Sequence, residues 1–76
     1  MKEHDRIVLT TDLPEYGLQA GDVGTIVHVY KGAEAFEVEF IALTGKTVAV
    51  VTVPADKGRS VQDGEITHAR TMAANR

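Results

Sequence analysis

The 76-residue sequence predicts an all-β fold, a small five-stranded barrel. Three observations carry that prediction. Short runs rich in β-branched residues are bounded by Gly and Pro. One of them, Phe36-Glu37-Val38-Glu39-Phe40, alternates strictly between apolar and charged residues, the period of a half-buried strand. No stretch keeps the 3.6-residue period of an amphipathic helix.

The first strand is expected over Arg6–Thr10. Thr11–Asp22 holds Pro14, Gly17 and Gly21, which break both helix and strand, and reads as a long loop, either functional or folded onto the barrel. A second strand follows over Val23–Tyr30; its Gly24 marks a bend or a close backbone approach. Lys31-Gly32-Ala33 reads as a hairpin connection into the third strand, Ala35–Ile41. Leu43-Thr44-Gly45-Lys46 is a second hairpin turn, with Gly45 at the position needing φ > 0. Thr47–Val53 is a nearly unbroken apolar and Thr run, expected as a fourth strand shielded on both faces for part of its length and ended by Pro54. Ala55–Gly64 reads as a polar loop, Asp63–Ile66 as a short 3₁₀ turn and Thr67–Arg70 as a short fifth strand. The tail 71–76 is expected to be mobile. The predicted interior comprises Ile7, Leu9, Val27, Phe36, Val38, Phe40, Val48 and Val50. A long first loop, two tight hairpins and a short final turn are the connections of an SH3-like barrel, so one such domain is expected over 1–76, with its core at about 5–70.

Composition excludes several function classes. The chain has no cysteine, so it holds no disulfide and no thiolate metal site, which fits a reducing, cytoplasmic setting. Met1–Asp5 lacks the apolar run of a signal peptide, and no run approaches the roughly eighteen apolar residues of a membrane span. Formal charge is −3. It is unevenly spread: Asp12–Glu39 carries six acids against Lys31 alone, whereas Lys46, Lys57, Arg59, Arg70 and Arg76 enrich the C-terminal half in base. A nucleic-acid binder needs cations against phosphate, and the long first loop offers only Asp12, Glu15 and Asp22, so nucleic acid is not the expected partner.

No reaction chemistry is written in the chain. Ser60 is the only serine, and His4, His28 and His68 are scattered. Glu37 and Glu39 share a strand face, but catalytic carboxylate pairs need environments that separate their pKa values. His28 with Glu37 or Glu39 would make an incomplete metal site. Gly17-x-x-x-Gly21-x-x-Gly24 has neither the Lys-Ser/Thr nor the following helix of a phosphate loop, so these three glycines are assigned to turn geometry. The expectation is therefore no enzyme, no cofactor and no metal.

The run Leu13-Pro14-Glu15-Tyr16-Gly17-Leu18 followed by Gly21-Asp22-Val23-Gly24-Thr25, together with Phe36–Phe40 and Thr47–Val53, resembles a small bacterial family catalogued as a domain of unknown function, DUF4926. The resemblance spans about Asp5–Arg70. It implies an SH3-like barrel, supplies no activity, and suggests a short stand-alone protein encoded beside another small protein. A more distant likeness links the second and third strands to SH3-like subunits of photosynthetic and ferredoxin-dependent complexes and to the barrel domain of nitrile hydratase.

The leading functional expectation is a non-enzymatic protein–protein interaction module that neutralises or assists a neighbouring small protein. Its candidate contact residues are Glu15, Tyr16 and Leu18 in the first loop and Glu37 and Glu39 on the third strand. The alternatives are an accessory subunit of a redox-type complex and an RNA-binding barrel. Edge-strand pairing into a homodimer is a further alternative.

Overall fold

The computed structural model describes residues 1–72. It is all-β: five antiparallel strands form one sheet in the order β4-β3-β2-β1-β5, an arrangement consistent with an SH3-like barrel. The strands are β1 (Arg6–Leu9), β2 (Val23–Val29), β3 (Ala35–Ile41), β4 (Thr47–Pro54) and β5 (Gly58–Ser60). Single 3₁₀ turns lie at Pro14–Tyr16, Lys31–Ala33 and Ala55–Lys57. The last of these carries the chain from one edge of the sheet, β4, to the other, β5.

Ile7, Leu9, Ile26, Phe36, Val38, Phe40, Val51 and Val53 form the core, and Leu13 and Leu18 close over it. The long first loop is thus folded onto the sheet. Leu13 and Leu18 bond each other's backbones, and Asp12 accepts the Ala20 N–H at 2.9 Å. Gly17 caps the first 3₁₀ turn at φ 72°, and Gly21 sits at φ 94°, backbone states that L side chains rarely adopt.

Two predicted core residues are corrected. Val27 and Val50 are 42% and 51% exposed. In β2 the register slips between Ile26, opposite Val38, and His28, opposite Glu37. Val27 is therefore the extra residue of a bulge, and Ile26 and Val29 turn inward instead. In β4 the apolar run hides which residues alternate inward: Val51 and Val53 do, and Val50 does not. Nor is β4 shielded on both faces, since Val50, Thr52 and Pro54 are exposed while Val51 and Val53 are buried. A second slip, between Phe40 and Ile41, leaves Val48 as an added residue that packs partly against the core.

The fifth strand is also corrected. It is Gly58–Ser60, inside the segment expected as loop, and Thr67–Arg70 forms no strand. Gly-Arg-Ser has no apolar alternation; its place is fixed by backbone pairing with β1, Ile7 opposite Ser60 and Leu9 opposite Gly58. Asp63–Gly64 is a plain turn rather than 3₁₀. Beyond β5 the chain returns along the first loop. Arg70 donates to both Asp22 carboxylate oxygens, at 2.9 and 2.5 Å, and to the Gly17 carbonyl at 3.1 Å, and Met72 packs against the core. Thr71 and Met72 are the described part of the predicted mobile tail; 73–76 lie outside the described residues.

Partial burial pushes the Asp22 carboxyl up, but the Arg70 guanidinium and the Gln19 N–H outweigh it and hold the group below its ordinary value. A depressed carboxylate stabilises the fold above its unfolded pKa, roughly 3.9, and loses that contribution as pH falls through the lower folded value. The stability difference between wild type and Asp22→Asn should therefore be constant above about pH 5 and shrink below about pH 4. Urea titrations at stepped pH measure it. A difference that stays unchanged down to pH 3 would show that the pair contributes nothing through ionisation.

Candidate functional site

The alternation in β3 sends Phe36, Val38 and Phe40 into the core and Glu37 and Glu39 to the outer face. Cross-strand register then decides their neighbours. Glu37 lies between His28 of β2 and Thr52 of β4, and Glu39 between Thr25 and Val50. Hydroxyls order both carboxylates. Glu37 Oε1 accepts from the Thr52 hydroxyl at 2.6 Å and from the Tyr30 hydroxyl at 3.0 Å, and Glu39 Oε2 accepts from the Thr47 hydroxyl at 2.7 Å. The His28 ring meets Tyr30 edge-on, centroids 4.7 Å apart.

Each glutamate thus has one oxygen tied into the sheet. Its other oxygen makes no hydrogen bond among the described residues. A carboxylate held in this way, with its second oxygen unbonded, is a pre-oriented acceptor for a Lys or Arg head group. Cross-strand hydroxyls also fix its rotamer, so less side-chain freedom is lost on contact.

The first-loop candidates are placed differently. Tyr16 is 45% exposed, on the 3₁₀ turn beside exposed Glu15. Leu18 is only 3% exposed, so it anchors the loop from inside and presents no surface to a partner. The loop's acids are partly spoken for, since Asp12 and Asp22 bond backbone N–H groups of the loop and Asp22 also holds Arg70. Among the described residues of Asp12–Glu39, Asp22 is neutralised by an ion pair; Glu37 and Glu39, like Asp12, keep their charge with one oxygen hydrogen-bonded. Among the described residues, no strand or loop pairing joins the Tyr16 turn to the face of Glu37 and Glu39.

Sequence reading did not assign Tyr30, Thr47 and Thr52 to the site. They became visible only through register, because Thr52 is 15 residues from the glutamate it bonds. The signal that was present is the Glu-x-Glu spacing, which commits both carboxylates to one face whatever pairs with them. An open apolar groove, also unforeseen, runs between the Leu18–Val23 loop, the β3–β4 hairpin and the returning segment at Ile66–Met72.

Among the described residues no three His, Cys, Asp or Glu side chains come together as a metal site, although His28 and Glu37 face each other across the ladder. No helix among them is long and apolar enough to cross a membrane. In comparison with known proteins, a family model described as a domain of unknown function (DUF4926) matches residues 3–59. No curated protein and no solved structure matches the chain.

Proposed function

The chain belongs to the DUF4926 family of domains of unknown function, and on that premise we infer that it is a non-enzymatic interaction module that binds a basic surface of a protein partner through the outer face of β2, β3 and β4. One observation carries the reading: Glu37 and Glu39 stand side by side on β3, each with one oxygen bonded by a hydroxyl of the sheet and the other open. The matched region runs from the N-terminal turn into β5, so it includes this face and leaves the returning segment 61–72 outside. Opposite potentials of this kind steer encounter and fix orientation more than they set affinity. The basic residues favour a protein over RNA as the partner: Arg59 is bonded to Glu65 and Arg70 to Asp22, which halves the patch that Lys46, Lys57, Arg59 and Arg70 could present to phosphate.

The test is co-purification with the product of the neighbouring reading frame, followed by association kinetics at two salt concentrations. Glu37→Lys/Glu39→Lys should cost about 1–3 kcal/mol in stability, since both side chains are half-buried and lose their hydroxyl hydrogen bonds but neither belongs to the core. The double variant should associate more slowly and with weaker salt dependence. Unchanged kinetics would remove this face and move the contact to the Glu15–Tyr16 turn.

A further inference from the structure

We propose that the outer edge of β4 takes up an extended basic peptide segment as a sixth strand, with Lys or Arg at alternate positions reaching Glu39 and Glu37. This rests on the outer-face reading above and specifies the form of its partner.

The hydrogen-bond parity of the sheet locates the open backbone groups. The Tyr30 N–H donates to the Ala35 carbonyl at 3.0 Å, so Ala35 directs its polar groups at β2. The Ala55 N–H donates to the Glu34 carbonyl at 3.0 Å, so Glu34, and by alternation Phe36 and Val38, address β4. Their partners Val53 and Val51 answer them. The N–H and C=O groups of Val50 and Thr52 therefore point away from the sheet, on an edge with no neighbouring strand among the described residues. The window is bounded on both sides. The bulge at Val48 breaks the ladder at one end, and Pro54 has no N–H to give at the other. Between them β4 carries no charged side chain to repel an incoming strand.

That window is in register with the two glutamates. Val50 is opposite Glu39 and Thr52 is opposite Glu37. A strand added to β4 places one residue beside Val50 and another, two positions away, beside Thr52. If both point to the outer face, they lie two strand spacings, roughly 10 Å, from the glutamate Cβ atoms. The intervening side chains are a valine and a threonine, low enough for a Lys or Arg stem to lie across them and bring its head group to the open carboxylate oxygen. Backbone pairing at two residues and two charge contacts at the same spacing thus select one partner chemistry, a strand with basic residues at i and i+2.

A labelled short peptide of Thr and Val with two arginines at i and i+2, titrated by fluorescence anisotropy, is the probe. It should bind about tenfold tighter than its isomer with adjacent arginines. Binding should perturb the backbone amide resonances of Val50 and Thr52 most strongly. N-methylation of the peptide residues facing them should abolish the preference, and Glu37→Gln/Glu39→Gln should bring both isomers to the same weak affinity. If the glutamine variant weakens binding while spacing and N-methylation have no effect, the edge assignment fails and the outer-face reading stands. If the glutamine variant changes nothing, both fail. Amide shifts at Val50 and Thr52 that follow protein concentration without peptide would give the edge to a second copy of the chain and overturn the assignment.

Discussion

Truncating Phe40 to alanine is expected to destabilise the protein by about 3–5 kcal/mol, and Phe36→Ala by a similar amount. Both rings are buried in the core, on a strand paired on both sides by β2 and β4. A domain of this length holds roughly 4–11 kcal/mol in all, so either variant should be partly unfolded under mild conditions. The paired test of β2 is sharper. Ile26→Ala should cost about 2–5 kcal/mol and Val27→Ala less than about 1, because Ile26 is enclosed by the core and Val27 lies on the outer bulge. Urea denaturation of the four variants measures all of this. Equal losses at Ile26 and Val27 would mean that the bulge is absent in solution and β2 alternates without a break.

The contrast between those two residues explains how far the sequence was legible. The all-β class, four of the five strands and the family membership follow from local signals that survive folding: β-branched runs, Gly and Pro breaks, and the Phe36–Phe40 alternation. Phase is a local signal only where apolar and polar residues alternate. Val48–Val51 has none, so its inward members cannot be told apart locally, and an inward Val27 follows only from a continuous period that a single bulge interrupts. The strand at Gly58–Ser60 leaves no apolar alternation to read; backbone pairing with β1 and the close packing of Gly58 on Ile7 define it. At the candidate site, Glu37 and Glu39 are legible as a pair on one face, whereas the hydroxyls that orient them come from β4 and from Tyr30, just past the end of β2, and exist as neighbours only once register is set. Leu18 is a contact candidate only by its place in the long first loop; the Leu13–Leu18 bridge turns it inward.

Gly24→Ala, the smallest change to this chain with a large expected effect, should cost about 1–3 kcal/mol, and Gly24→Val more. The reason is space rather than backbone freedom. Gly24, inside β2, pairs with Ile7 of β1, and a Cβ there would overlap Val38 Cγ1, stand 2.9 Å from Phe40 Cε2 and 3.0 Å from the Glu39 carbonyl oxygen. The first two atoms belong to core side chains. The third is backbone of the strand that carries both site glutamates, so relief by main-chain movement would also shift Glu39. Gly21 is the opposite case, with nothing within 4 Å of its Cβ position but a φ of 94°. The two mechanisms are separable by a double-mutant cycle. Val38→Ala removes the nearest obstructing methyl, so Gly24→Ala/Val38→Ala should cost less than the sum of its single variants, by about 1 kcal/mol or more. Gly21→Ala is strained by its own backbone, so it should add to Val38→Ala without coupling. Calorimetric or urea unfolding of the five variants measures both cycles. Additivity in the Gly24 cycle would mean that the sheet opens freely at this point and that the close approach of β2 to β3 does not set the position of the glutamate face.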